Sequence, residues 1–264
     1  INDWFSAFLG AGFYYKTFMW PKAFWERVYE PIIRRAAGLG SLSGLPDPDA
    51  YDRGFRHCDL LVIGAGPAGL MAALTASRAG AVVILVDEDF RPGGRLNMES
   101  MPVDDIPGSD WAAKAWAELA SLSNTRVMPR STAIGVFDHG IYGVVERVSD
   151  HLAEPASGTP RQILWRIYAK RTALCAGAIE RPIAFENNDR PGIMQAGAMR
   201  GYANRYAATP ANRIVVFTNN DDGYRTASDM AAASVDVAAI VDSRESAPTS
   251  DVAEVFAGAF IENT

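Results

Sequence analysis

The chain has 264 residues, enough for one large domain or two smaller ones. Hydrophobic residues make up 48% and charged residues 21%, the balance of a packed globular protein and not of a disordered one. Against 31 Asp and Glu stand 25 Lys and Arg, a net charge of −6, which argues against a dedicated nucleic-acid binder.

The N-terminal stretch is crowded with rings: Trp4, Phe5, Phe8, Phe13, Tyr14, Tyr15, Phe18, Trp20, Phe24, Trp25 and Tyr29. Each ring carries a large apolar area, so this segment is expected to lie against something, either the main domain or another chain. Residues 26–39 read as a helix around Pro31, ended by Gly38 and Gly40. Residues 41–56 hold Gly44, Pro46, Pro48 and Gly54 and read as a linker.

Residues 59–63 read as a short buried strand and 68–79 as a helix, with Leu70, Ala73 and Leu74 at helical spacing. A second strand over 81–86 is a continuous apolar run, which suits a parallel sheet covered on both faces. The stretch 60–77 is uncharged and long enough to imitate a membrane span. Its glycines and Pro67 fit a strand–turn–helix better, so no membrane association is expected. A helix over 111–121 follows, then strands over 131–136, 143–148 and 162–169 that suggest a small antiparallel excursion. Residues 170–176 read as another buried strand. A second strand–helix–strand unit spans 213–218, 224–233 and 237–241, and the tail holds one further element near 252–260.

The strongest local signal is Gly64-Ala65-Gly66-Pro67-Ala68-Gly69. It follows an apolar strand, opens a helix, and is followed by a strand that ends in Asp87, the full context of a dinucleotide fingerprint. Gly64 permits the tight turn, Gly66 leaves room for a pyrophosphate, and Gly69 lets helix and strand pack closely. The phosphates would sit over a helix N-terminus, where free N–H groups favour anions. Asp87 falls where an acid accepts from the adenosine ribose hydroxyls, and Glu88 and Asp89 follow it. Three acids there would repel a 2′-phosphate, so the nicotinamide form implied is NAD and not NADP. FAD carries the same ribose diol, and the acid alone does not separate the two.

Gly93 and Gly94 suit a second close approach of backbone to ligand, and Arg95 could face a phosphate. Ala176 and Gly177, at the end of the 170–176 strand, match the small-residue element that returns to the nucleotide in two-dinucleotide flavoprotein folds. The second unit has lost its glycines and reads Thr218-Asn219-Asn220-Asp221-Asp222-Gly223, where two aspartates would repel a pyrophosphate. The expected fold class is therefore α/β, a truncated Rossmann-like two-dinucleotide-binding flavoprotein fold. Its parts are an aromatic-rich segment and linker over 1–57, a dinucleotide-binding domain over 58–210, and an incomplete second unit over 211–264.

No Ser nucleophile elbow, no Cys–His pair and no metal-ligand spacing is legible, so no catalytic or metal residue is assigned. The two cysteines, Cys58 and Cys175, form no redox pair by spacing, and they fit a reducing cytoplasm.

One resemblance is specific. Gly12-Phe13-Tyr14-Tyr15-Lys16-Thr17-Phe18-Met19-Trp20-Pro21, Trp25-Glu26, Tyr29-Glu30-Pro31 and Arg34-Arg35-Ala36-Ala37-Gly38-Leu39-Gly40 carry it in the first part of the chain. The glycine turn, Asp87-Glu88, Ala176-Gly177-Ala178-Ile179-Glu180-Arg181-Pro182, Asn188-Asp189-Arg190-Pro191-Gly192 and Val216-Phe217-Thr218-Asn219-Asn220-Asp221-Asp222-Gly223 continue it. The chain resembles the alpha subunits of heterotetrameric sarcosine oxidases. The resemblance implies an enzyme that oxidatively demethylates sarcosine to glycine, forms hydrogen peroxide, and passes a one-carbon unit to tetrahydrofolate. It implies a non-covalent NAD on this chain, FAD in a beta subunit, a covalent FMN at the alpha–beta interface, and small gamma and delta subunits. It also implies that the NAD contacts fall on residues 64–69, on Asp87, Glu88 and Asp89, on Arg95, and near Ala133. An arginine at position 95 departs from some relatives. The Ile1 start, the missing closing Gly-Asp element and the missing folate domain lead to the expectation of a fragment that does not oxidise sarcosine alone. Opine-oxidase-type or cyanide-synthase-type subunits, an independent FAD-dependent oxidoreductase, and a nucleotide-bearing scaffold are the alternatives.

Overall fold

A computed structural model describes residues 20–38, 40, 42–244 and 260–261. The aromatic block before Trp20 and most of the element expected near 252–260 lie outside the described residues. The chain divides into two compact bodies, Ile1–Pro48 and Asp49–Thr264.

In the first body a 3₁₀ turn (Lys22–Phe24), a π turn (Trp25–Tyr29) and helix α1 (Glu30–Ala36) run on continuously. Pro31 sits in the first turn of α1, where its missing N–H costs no hydrogen bond. Arg34 donates its Nε to Glu30 one turn back at 2.6 Å. None of the residues in these three pieces is buried.

The second body is built on a six-stranded sheet. In chain order its elements are β1 (Tyr51–Ile63), α2 (Pro67–Arg78), β2 (Val83–Val86), a 3₁₀ turn (Gly94–Asn97), the small hairpin β3 (Pro102–Val103) and β4 (Ile106–Pro107), and α3 (Gly108–Ser121). Then come β5 (Thr125–Met128), β6 (Ser131–Phe137), β7 (Ile141–Arg147) and β8 (Gln162–Leu174). The strand order is β5-β2-β1-β8-β7-β6. The strands β5, β2, β1 and β8 are parallel, and β7 and β6 complete the sheet antiparallel. After β8 the chain forms α4 (Ala196–Arg200), a π turn (Gly201–Arg205), β9 (Arg213–Thr218), α5 (Asp222–Ala232), β10 (Asp236–Asp242) and β11 (Phe260–Ile261). The last three strands make a separate parallel sheet in the order β11-β10-β9.

Every residue of β2 is buried, as its unbroken Val-Ile-Leu-Val run requires in a sheet covered on both faces. Alternate residues feed two cores. Val62, Val83 and Leu85 pack with Leu70, Ala73 and Leu74 of α2 and with Ala112, Ala115 and Leu119 of α3. On the opposite face Leu61, Ile84 and Val86 pack with Met128, Val144, Trp165 and Ile167.

Two readings are corrected. Residues 51–56, expected in a linker, are the exposed half of β1, and 162–169 and 170–176, expected as two strands, merge into β8. The two strands pair from Tyr51↔Gln162 to Ile63↔Leu174. The outer half of β1 is polar and mostly exposed, so apolar patterning could not mark it. Its backbone ladder with β8 makes it a strand.

Leu61 is fully buried, so Leu61→Ala should cost about 2–5 kcal/mol, read by urea unfolding. Burial, with the adjacent Asp59 charge adding to it, pushes the Cys58 thiol from 9.0 up to about 11. A raised thiol pKa favours the neutral form in the fold, so that contribution is whole below pH 9.0 and is lost as pH rises through about 11. In the native protein at neutral pH a thiol reagent should therefore modify the half-buried Cys175 and spare Cys58. Fast modification of both would contradict the buried placement.

Candidate functional site

The carboxyl ends of β1 and β2 meet at the glycine turn. Gly64 continues the sheet by donating its N–H to the Val86 carbonyl at 2.8 Å, then turns with φ of +102°. A Cβ on Gly64 would strike the Cys175 carbonyl oxygen, and one on Gly69 would overlap the Gly64 carbonyl oxygen. These two glycines are demanded by the protein's own backbone. Gly66 differs: a Cβ there would meet nothing within 4 Å. Its missing side chain keeps space open in front of the turn.

Helix α2 starts at Pro67 with Gly66 as its N-cap, and no side chain caps it. The N–H groups of Ala68 and Gly69 lie in the first turn, where a helix supplies no internal acceptor. An uncapped start behind an open glycine is a cradle for an anion. Residues 64–69 and the end of β2 thus fit the pyrophosphate of a dinucleotide.

The three acids after β2 have separate surroundings. Asp87 accepts from the Ala65 N–H at 2.5 Å and from the Asp89 N–H at 2.8 Å, so it braces the glycine turn directly. Asp89 takes both ends of the Arg205 guanidinium, at 2.5 and 2.9 Å. Burial alone would raise the Asp89 carboxyl, but the Arg205 hydrogen bonds outweigh it and hold the group below the usual carboxylate range. Glu88 is exposed, and its side chain takes no hydrogen bond among the described residues. Its carbonyl accepts from Arg147 Nη2 at 2.6 Å. Glu88, Asp89, Thr132 and Arg147 line a cavity of about 410 Å³.

The second glycine pair lies over the first. Gly93 donates to the Ala65 carbonyl at 2.8 Å, and a Cβ on Gly94 would sit 3.1 Å from the Gly66 Cα. Arg95, expected at a phosphate, donates its Nε to Glu99 at 2.5 Å and its Nη2 to both Asp222 oxygens at 2.9 Å. Ala133 is half-buried on β6, beside the cavity-lining Thr132, and pairs with Val144. Ala176 and Gly177 are exposed just past β8, next to the Cys175 whose carbonyl underlies Gly64.

The structure therefore brings together residues 64–69, Asp87 and Gly94, and sets Glu88, Asp89 and Thr132 alongside. Arg147, Arg205 and Thr132 escaped the sequence reading, because residues in strands and short helical turns carry no motif. Asp221 and Asp222, expected to repel a pyrophosphate, each have arginine partners. Arg244 pairs with Asp221 at 2.8 Å, while Arg95 and Arg200 pair with Asp222 at 2.9 and 3.2 Å. Both carboxylates are compensated.

A second cavity of about 460 Å³, lined by His57, Cys58, His139, Tyr168 and Lys170, opens farther back along β1 and shares no residue with the glycine turn. Among the described residues no cluster of three His, Cys, Asp or Glu could hold a metal ion. No helix among them is long and apolar enough to cross a membrane.

Residues 59–156 match the family model described as FAD dependent oxidoreductase. The chain is 56% identical to the alpha subunit of the sarcosine oxidase of Rhizobium meliloti (strain 1021), over 94% of this chain and 25% of that protein. It is 32% identical to an opine oxidase subunit of Agrobacterium tumefaciens (strain Ach5), over 71% of this chain and 37% of that one. The chain thus spans about a quarter of the length of the sarcosine oxidase subunit it matches. Among solved structures, L-proline dehydrogenase from P. horikoshii superposes with a TM-score of 0.58 at 23% identity, covering 78% of this chain and 40% of that one. The chain is a homologue of the sarcosine oxidase alpha subunits, built on the α/β fold of the FAD-dependent oxidoreductases.

Proposed function

We propose that this chain is the NAD-binding part of the alpha subunit of a multisubunit sarcosine oxidase. The observation that carries the nucleotide reading is the uncapped start of α2 behind the open Gly66, braced by Asp87. In this reading the N–H groups of Ala68 and Gly69 donate to the pyrophosphate. Asp87 holds the turn and, with Glu88, accepts from the adenosine ribose hydroxyls. Asp89 acts through its pair with Arg205, and Thr132 and Ala133 border the adenosine end. Gly94 closes over Gly66, and Ala176 and Gly177 pass behind the turn. NAD, when bound, supplies a nicotinamide ring able to exchange a hydride.

Glu88 supports NAD over NADP, because its exposed carboxylate has no hydrogen-bond partner among the described residues and would repel a 2′-phosphate. FAD is the competing ligand, since the family match is to FAD-dependent oxidoreductases. The identity of 56% over 94% of the chain supports the sarcosine assignment over the opine one. In the whole enzyme, sarcosine would be demethylated to glycine with formation of hydrogen peroxide and transfer of the carbon to tetrahydrofolate. Beta, gamma and delta subunits are the proposed partners, with FMN at the interface with beta and the reducing cytoplasm as the setting. This chain by itself would not oxidise sarcosine.

Denaturing the purified protein and weighing the released nucleotide by mass spectrometry should give NAD. Release of FAD would replace NAD in this site, and release of neither would overturn the nucleotide reading. Asp87→Ala removes a charged acceptor from the Ala65 N–H, a bond worth about 1.5–3 kcal/mol. Affinity for NAD, titrated calorimetrically, should therefore fall by roughly tenfold or more.

A further inference from the structure

We propose that Asp222, at the start of α5 in the second strand–helix–strand unit, is a positioning residue for the nucleotide site. It holds the Arg95 guanidinium beside the glycine turn, where Arg95 donates to the pyrophosphate of the bound dinucleotide. The proposal rests on the dinucleotide reading above and extends it to a residue outside the glycine fingerprint.

Arg95 is the second residue of the 3₁₀ turn, directly after Gly94, whose backbone packs on Gly66. The arginine side chain is long and 57% exposed, so alone it would sample many rotamers. Two carboxylates remove that freedom. Glu99 takes Nε, and Asp222 takes Nη2 with both oxygens. Among the described residues Nη1 has no partner. The guanidinium is thus fixed along one edge and keeps donors for an incoming anion, the fork geometry that suits arginine to phosphate.

Asp222 is itself held. Its N–H donates to Asn220 Oδ1 at 2.9 Å, and Arg200 Nη1 reaches its Oδ1 at 3.2 Å. Arg200 is only 2% exposed, and its Nε donates to the buried Asp229 at 2.7 Å. Burial raises the Asp222 carboxyl, but the Arg95 hydrogen bonds and the Arg200 charge outweigh it and keep the group below the usual carboxylate range.

The tie between the two strand–helix–strand units is not a single pair. Ser100 Oγ donates to Asp229, and Asn204 Nδ2 donates to the Met98 carbonyl at 2.7 Å. The segment from Arg95 to Ser100 is therefore held at three residues, by α5 and by the π turn before β9. A second unit without a glycine-rich turn of its own backs the site of the first. Nucleotide binding and seating of α5 must then reinforce one another, because coupling free energy is reciprocal.

The test is a double-mutant cycle in the full chain: wild type, Asp222→Asn, Arg95→Gln and the double variant. Each is stripped of nucleotide and titrated with NAD, or with FAD where NAD does not bind, at low and high salt, and its Tm is recorded. We expect each single variant to lose about tenfold in affinity, and the double variant to lose no more than Arg95→Gln alone. The salt dependence of binding should flatten equally in all three. A merely structural Asp222 would lower Tm and give additive losses, with the salt dependence of Asp222→Asn unchanged, and would overturn the proposal. Unchanged or tighter binding by Asp222→Asn would also overturn it, since the carboxylate would then be competing with phosphate for Arg95. Should Asp222→Asn fail to fold, Asp222→Glu keeps the charge that Arg200 needs and displaces the carboxylate by one methylene; it should show the same loss. A wild type that takes up neither nucleotide would sink the dinucleotide reading, and this proposal with it.

Discussion

The carbonyl of Gly64 lies so close under Gly69 that no side chain fits between them. That contact sets where α2 begins relative to the end of β1. It aims the first-turn N–H groups outward past Gly66 and brings the Ala65 N–H within reach of Asp87. It depends in turn on the long parallel pairing of β1 with β8, which carries Cys175 under the turn. A methyl group at position 64 or 69 would push these pieces apart, and the anion cradle would open with them.

Charge around the turn is arranged by pairing more than by sign. Three consecutive acids follow β2, yet one braces backbone, one is gripped by Arg205, and one faces the cavity. Across the site, two aspartates in the second strand–helix–strand unit are matched by Arg244, Arg95 and Arg200. Exposed pairs of this kind contribute little to stability, but the buried Arg200–Asp229 pair would leave an uncompensated charge if either partner were lost. Two of these pairs, Arg95–Asp222 and Arg205–Asp89, tie residues that flank the glycine turn to the later part of the chain.

The part of the chain that could be read in advance is the part whose chemistry is local. A glycine spacing after an apolar strand states a turn and a helix start at once, because the positive φ of Gly64 and the contact of Gly69 with the Gly64 carbonyl are demands that arise within a few residues. The unbroken apolar run of β2 states its burial on both faces. The polar outer half of β1 could not be read, since its identity as a strand comes from β8, roughly a hundred residues later in the chain. The short helical turns that carry Arg200 and Arg205 were equally silent, having too few residues for a periodic pattern.

By itself, then, the sequence determined the strand–turn–helix frame, the glycine cradle, the acid at the end of β2 and the resemblance to part of a sarcosine-oxidising enzyme. Only the tertiary structure decided which acid meets which arginine. Arg205 and Asp89 are 116 residues apart, and Arg95 and Asp222 are 127 apart. At such separations no spacing marks the partners, and only the packing of the later helical segments beside the glycine turn brings them within hydrogen-bond distance.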